Sequence, residues 1–420
     1  MPKAIRRVRS ALVLTTSLIA VAGLPSQVWA QETAPSAKAA SAEDKSGTDS
    51  PDIVVTATRR ELRLQDVPLS ISAVDGERLS ELGARDVQDY VLTIPGVSFT
   101  DASGGRQTFV VRGIASLGAG ATTAVYLDET PLDIDLRLFD IARVEVLRGP
   151  QGTLYGQSSM GGAIRTITNR PDSTGFAAAV DASINSVHRG GAGGDVNVMV
   201  NVPLVTDKLA VRGVYYHERE AGFVDNYAVL DRIPGEVRDP SSAPVTPTTL
   251  IKKNRGAHDI DGARLMVQFD PVERLSISGT YLWQKDHYNG LNSEDTDIGR
   301  GRLIQSRAFD EIWGTEVQQY NLTARYDAGF AELMSSTTWN RATGRTARDV
   351  TYVFMPVFQK AYDILVNDGQ NVADLLGAPS VNERTRSHQF TQELRLTSQG
   401  DGPVGWVIGG YYNNYSLPAG

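Results

Sequence analysis

The 420-residue chain has no cysteine, so neither a disulfide framework nor a thiolate metal site can brace it. Its five histidines form no cluster with ligand spacing. Basic charge is also short: 41 Lys and Arg face 49 Asp and Glu, a formal net charge of −8. Phosphate binding needs a basic stripe, so nucleic acid is excluded as the main partner. The long apolar run Ala11 to Gly23 is about 13 residues, too few to cross a ~30 Å hydrocarbon core. Catalytic signatures are missing as well. Gly149-Pro-Gln-Gly-Thr-Leu-Tyr-Gly156 lacks the Gly-Lys-Ser/Thr ending of a phosphate loop, and strand rather than helix is expected after it. There is no Gly-x-Ser-x-Gly elbow and no His-Glu-x-x-His pair. Neither an enzyme nor a cofactor is expected.

What is present is ordered by its chemistry. Residues 1–30 read as a signal peptide: Lys3, Arg6, Arg7 and Arg9, then the apolar run, then Val28-Trp-Ala30 before the cut. Removing those four basic residues leaves 37 against 49 acidic ones, a more acidic mature chain. Residues 31–60 form a flexible linker, aperiodic and rich in Ala, Ser, Glu, Asp and Lys up to Pro51. It ends in Asp52, Ile53, Val54, Val55, Thr56 and Ala57, a β-favouring segment. That segment is either the first strand of the next unit or a strand kept ready to pair with a partner's sheet edge.

Residues 61–172 read as an α+β unit. Pro68 to Val74 alternates like a strand, Asp75 caps a short helix to Leu82, and a second short helix covers Asp86 to Leu92. Gln107 to Arg112 and Thr123 to Asp128 are short strands. Ile141 to Thr168 reads as strand, glycine turn, strand: Val144 and Val146 alternate with Arg143 and Glu145 until Arg148-Gly-Pro-Gln-Gly152 breaks the pattern. Residues 173–420 change character. Val196, Val198, Val200 and Val202 alternate with Asp195, Asn197, Met199 and Asn201, and the same period recurs at 275–283, 320–327 and 390–397. Short turns alternate with long polar connections, near 221–258, 287–317 and 346–386. A membrane β-barrel with tight periplasmic turns and long outer loops produces that rhythm, whereas a soluble sandwich has no reason to. Tyr215, Tyr281, Trp283, Trp339, Trp406 and Tyr412 lie near strand ends, where an aromatic girdle sits. About nine strands can be counted, against about 22 in plugged outer-membrane transporters.

The order of motifs resembles the TonB-dependent outer-membrane receptors. Asp52 to Ala57 is similar to their TonB box. Val111-Arg-Gly-Ile114, Val125-Tyr-Leu-Asp128 and above all Val144 to Gly156 are similar to segments of their plug. Glu393-Leu-Arg-Leu396 and Gly409-Gly-Tyr-Tyr412 resemble barrel strands. The resemblance implies a mainly β fold, with an N-terminal α+β plug inside a transmembrane antiparallel β-barrel that this chain supplies in part. It implies the outer membrane as the location and energised uptake of a scarce ligand, most often a ferric siderophore. Cobalamin, carbohydrate or another nutrient is the alternative cargo. TonB and its inner-membrane energising complex, outer-membrane lipid and a small ligand such as an iron chelate are the implied partners. A passive barrel or adhesin would need neither box nor plug. A receptor that also regulates transcription would need a further periplasmic domain of some 70–80 residues before the box, which the resemblance places there. A plug–barrel lock is expected among Arg112, Glu145, Arg148 and Glu393, since guanidinium and carboxylate groups can pair in a polar lumen. Ser103, Gly105, Arg106, Ser116 and Leu117 are the expected ligand contacts on plug loops. The chain is expected to be an incomplete receptor, ending at Gly420 where an outer loop would start.

Overall fold

Local chemistry starts the plug at Asp75, which closes one strand and opens a helix. Its carboxylate accepts a hydrogen bond from the Arg78 N–H at 2.7 Å, and Gly83 ends that helix in the left-handed region with φ of 64°. The computed structural model describes residues 53–417 except 57–58, 61, 92, 103–105, 115–121, 133, 135, 156–158, 230–246, 296–297, 299–300, 352–353, 355–356, 359, 362–378 and 401–403. The predicted signal peptide, most of the linker, Asp52, Ala57, Ser103, Gly105, Ser116 and Leu117 therefore lie outside the described residues.

Two residues of the box segment form β1 (Val54–Val55), paired antiparallel with β2 (Leu62–Arg63). The plug continues with β3 (Ile71–Asp75), α1 (Gly76–Leu82) and α2 (Val87–Val91). A hairpin of β4 (Val97–Ala102) and β5 (Arg106–Val111) comes next. Then follow β6 (Thr123–Leu127), β7 (Thr130–Pro131), β8 (Ile141–Arg148), α3 (Gly152–Tyr155) and β9 (Gly162–Thr168). The five-stranded plug sheet runs β3-β8-β9-β6-β7, with β6 and β9 parallel. The expected strand–turn–strand is corrected here, because the connection between β8 and β9 holds the four-residue helix α3. That helix turns Tyr155 into the core at 2 % exposure, which a plain glycine turn could not do. Glycine is required at Gly162, where a Cβ would stand 2.2 Å from the Leu147 carbonyl oxygen.

β8 is covered on both faces. Val144 and Val146 pack with Leu79, Tyr90, Val91 and Ile164, while Leu147 packs with Ala124, Tyr126, Tyr155 and Ala163. Each such fully buried aliphatic side chain contributes about 1.5–3 kcal/mol.

The second half supplies β10 (Ala177–Ser186), β11 (Ala192–Val205) and β12 (Leu209–Glu220). Next come β13 (Val224–Val229), β14 (Pro247–Arg255), β15 (Ala257–Val272) and β16 (Leu275–Asn289). The last are β17 (Ile304–Gln305), β18 (Ile312–Asp327), β19 (Ala331–Asp349), β20 (Ser380–Ser398) and β21 (Val407–Ser416). Nine of them form one antiparallel sheet in the order β10-β11-β12-β15-β16-β18-β19-β20-β21. β14, β13 and β17 make a small sheet within the long connections.

This sheet is apolar outside and polar inside. Leu322 is 56 % exposed while its neighbour Thr323 is 4 % exposed, and Val196, Val200 and Val202 are exposed while Asp195, Asn197 and Asn201 are buried. Only a strand with lipid on one side and a filled polar lumen on the other has this pattern. Residues 206–208, 273–274 and 328–330 make the short connections, and 221–256, 290–311 and 350–379 make the long ones. The strands run further than their apolar band predicts: Asp286, His287, Arg345 and Arg386 remain in the ladder. Backbone pairing does not depend on side-chain polarity, so the sheet continues past the level where apolar residues stop.

Candidate functional site

Thr56 follows β1 and is tied to the centre of the plug. Its backbone N–H donates to Glu145 Oε1 at 2.9 Å, and its hydroxyl accepts from Arg165 Nη1 at 2.8 Å. Arg165 Nη1 also donates to Glu145 Oε2 at 2.7 Å, and Arg143 Nε donates to Glu145 Oε1 at 2.9 Å. Glu145 and Arg165 are 0 % and 1 % exposed, so this is a buried charge pair with the box segment hydrogen-bonded to it. Val55 is buried too, and Leu64 N–H donates to the Ile53 carbonyl at 2.8 Å. Of the two readings of this segment, this structure shows the strand paired within its own unit: Val54 and Val55 pair with β2, and the Ile53 carbonyl accepts from Leu64. An extended stretch beside a free backbone edge pairs with the nearest partner, which here is β2.

Three residues on, Arg59 takes the left-handed conformation with φ of 62° and turns into the plug–wall boundary. Its guanidinium carbon lies 4.4 Å from the Tyr155 ring centroid, its Nη1 donates to the Glu129 carboxylate, and its Nη2 stands 3.6 Å from Glu393 Oε2 on β20. Arg395 Nη1 lies 2.6 Å from Glu393 Oε1 and 3.6 Å from Glu129 Oε2, and Arg325 Nη2 on β18 is 3.5 Å from Glu129 Oε1. Burial alone would raise the Glu129 carboxyl; the guanidinium groups of Arg59, Arg165, Arg395 and Arg325 outweigh it and hold it well below the usual carboxylate range. Arg60 bonds the Ser398 hydroxyl and, at 3.3 Å, the Trp406 carbonyl, reaching the connection between β20 and β21. Arg59, Arg60, Glu129, Arg325 and Arg395 border a cavity of about 700 Å³ between box segment, plug and wall, on the side of the short turns.

Two more sets of charges seat the plug. Arg85 Nη1 donates to Glu218 Oε1 at 2.7 Å and Arg85 Nη2 lies 3.0 Å from Asp195 Oδ1, while Arg137 pairs with the same Glu218. In the opposite polarity, Asp140 on the plug accepts from Arg212 Nε at 2.8 Å, and Arg264 Nη2 donates to the Asp140 carbonyl at 2.8 Å. The plug thus reaches β11, β12, β15, β18, β19 and β20; on β19, Thr130 and Thr338 share a hydrogen bond of 2.9 Å.

Of the expected lock, the structure brings Glu145 and Glu393 into one network and leaves Arg112 and Arg148 out of it. Arg148 closes β8, three residues or ~10 Å beyond Glu145, and donates to the Pro95 carbonyl at 3.1 Å. Arg112 turns the chain with φ of 53° and is exposed. No ion pair joins either to Glu393 among the described residues. Of the expected ligand contacts, only Arg106 is described, as the first residue of β5 opposite Ala102. Among the described residues no group of three or more His, Cys, Asp or Glu could hold a metal ion. Sequence reading missed Arg59, Glu129, Arg165, Arg85, Arg137 and Asp140. One signal was there to find: Arg165 is a single charge between Ile164 and Thr166 in a strand of small and apolar residues, and such a charge needs a partner.

A plug seated by ion pairs on the polar face of a lipid-facing sheet defines the plug-and-barrel architecture of the bacterial outer membrane. Residues 63–163 match the family described as the TonB-dependent receptor plug domain. The pesticin receptor of Yersinia pestis is 34 % identical over 133 residues, 30 % of this chain and 20 % of that protein. The iron-regulated outer membrane virulence protein of Vibrio cholerae is 32 % identical over 189 residues, 41 % of this chain and 28 % of that protein. In fold, the crystal structure of the ferric yersiniabactin uptake receptor of Yersinia pestis matches with a TM-score of 0.62 at 19 % identity, over 83 % of this chain and 50 % of that one. Residues 63–163 thus match a TonB-dependent receptor plug domain, the chain shares the fold of that solved receptor, and it spans about half of that receptor's length.

Proposed function

We propose that the protein works in energised uptake of a scarce ligand across the outer membrane, with a ferric siderophore as the cargo and TonB as the partner that pulls on residues 52–57. One observation carries the reading. Thr56 is bonded to the Glu145–Arg165 pair, and Arg165 and Arg59 both approach Glu129, which faces Arg325 and Arg395 on the wall. Force on the box segment therefore acts first on the charges that seat the plug. Ionic seating suits this task, because paired charges hold at rest and can be rehydrated as they separate, whereas an apolar seat would expose hydrophobic surface. The iron-related names of the similar proteins support the choice of cargo.

A strain lacking the gene, limited in turn for iron, cobalamin or carbon and offered single ferric chelates, cobalamin or oligosaccharides, tests the reading. Rescue by a ferric chelate that requires both this gene and TonB is the expected outcome. Rescue only by cobalamin or an oligosaccharide would replace the cargo, and rescue that persists without TonB would replace energised uptake with passive passage.

A further inference from the structure

The long connections on the outer side hold a second ordered body, apart from the plug and its seat. β13 in the first connection pairs in parallel with β17 in the second, Asp225 opposite Ile304 and Asn226 opposite Gln305. The buried side-chain amide of Asn226 carries that ladder one step further: Oδ1 accepts from the Arg307 N–H at 2.8 Å, and Nδ2 donates to the Arg307 carbonyl at 3.1 Å. Val224 in the first connection and Ile298 and Ile304 in the second are buried as well.

Arg307 turns a buried guanidinium into this body. Its Nη1 donates to the two Asp295 carboxylate oxygens at 3.0 and 2.8 Å, and its Nε stands 3.6 Å from Glu311 Oε2. Glu311 passes the contact to both sides. Its Oε1 accepts from the N–H of Asp349, the last residue of β19 before the third connection, at 3.1 Å. Its carbonyl accepts from Arg255 Nη2, near the end of the first connection, at 3.1 Å. Asp349 in turn accepts from the Ala308 N–H at 2.6 Å and from the Thr351 N–H at 2.9 Å. Asn226, Arg255, Arg307, Glu311 and Asp349 are all buried. A loop that swings alone needs joints whose polar groups water can take over as it leaves. Here the joints are out of water, so one connection cannot leave without stranding charges in the others.

We propose that the first and second connections and the base of the third are one rigid collar, locked by Arg307, Glu311 and Asp349, which keeps its shape while cargo passes. Entry is then selected by a mouth of fixed width rather than by loops that fold over the cargo one at a time. That the collar is one body rests on its buried bonds alone, whereas its part in entry rests on the uptake reading above.

Amide hydrogen exchange of the full chain in detergent, read by mass spectrometry, tests the single body. Residues 224–229, 303–308 and 349–351 should open with one common rate. Arg307→Met should speed exchange in all three by a shared factor of ~100 or more, and Asn226→Ala by a shared factor of ~10, while β11 and β12 exchange as in the parent. Lys252→Ala, which removes the exposed pair with Asp310, should change none of them by more than ~5-fold. Should Arg307→Met fail to assemble, Asn226→Ala decides alone. Unequal opening rates in the parent, or acceleration confined to the second connection, would overturn the proposal. For the fixed mouth, Lys252→Cys and Asp310→Cys, the two cysteines of an otherwise cysteine-free chain, are joined on cells by a short bis-maleimide. Uptake of radioactive iron from the rescuing ferric chelate should equal that of unjoined cells, and uptake lost only on joining would overturn it. No uptake in the unjoined cells either would strike the uptake reading and leave the exchange result to decide the collar.

Discussion

The bond between Thr56 and Arg165 makes release of the box segment an equilibrium whose size can be estimated. Replacing Thr56 by Val keeps the shape and the backbone N–H that bonds Glu145, and removes the hydroxyl, whose shortest bond is the one it accepts from Arg165 Nη1 at 2.8 Å, with longer contacts to Glu145 Oε1 at 3.4 Å and Arg143 Nη2 at 3.5 Å. A hydrogen bond to a charged group contributes about 1.5–3 kcal/mol, so the released fraction should rise by roughly 10- to 150-fold. The chain has no cysteine, which makes a spin label at Val54→Cys unique, and Val54 is exposed enough to carry one. The parent spectrum should be dominated by an immobilised component, with a mobile component growing in Thr56→Val. Thr56→Ser retains the acceptor and should stay close to the parent. A mobile fraction that does not change in Thr56→Val, or that rises as much in Thr56→Ser, refutes the view that this hydroxyl latches the segment.

Other perturbations follow the same logic. Glu218→Gln strands Arg137 and half of the Arg85 contact, and removing one partner of a buried pair is destabilising by about 3–5 kcal/mol. Trypsin should then cut the plug faster while the strands of the wall keep their protection. Val55→Pro removes a strand donor next to the Thr56 anchor, so uptake should fail while ligand binding persists, measured separately on whole cells with and without an energy poison. Glu129 has a folded pKa depressed below its ordinary value of 4.5, so its pairing stabilises the plug fully above that pH and the contribution is lost as pH falls below it. The melting-temperature gap between the parent and Glu129→Gln should thus be flat between about pH 5 and 8 and narrow on further acidification; a gap that narrows instead on the alkaline side contradicts the assignment.

How much of this was legible in the sequence depends on the kind of signal. The alternation of Val196, Val198, Val200 and Val202 with polar residues is a local property, and lipid on one side is sufficient to enforce it, so the nine lipid-facing strands can be counted from the residue pattern alone. Asp75 as a cap and Glu393 as an inward residue were equally local, since each follows from its neighbours. The seat of the plug was not legible, because period two tells which face a charge is on and says nothing about what stands across a lumen. Glu145 shows the difference: its alternation with Val144 and Val146 marks it as polar-face, yet that face is fully buried beneath Thr56 and Arg165, residues 89 and 20 positions away. Arg148 fails for the same reason in reverse, since lying in the most family-like stretch does not bring it to the wall. In a polar lumen almost every inward residue can pair with several others at little difference in energy. The pairing is chosen by where the whole plug sits, and the plug's position is in turn held by Asp140, Glu129 and Arg85, whose charged partners are on five separate strands of the wall.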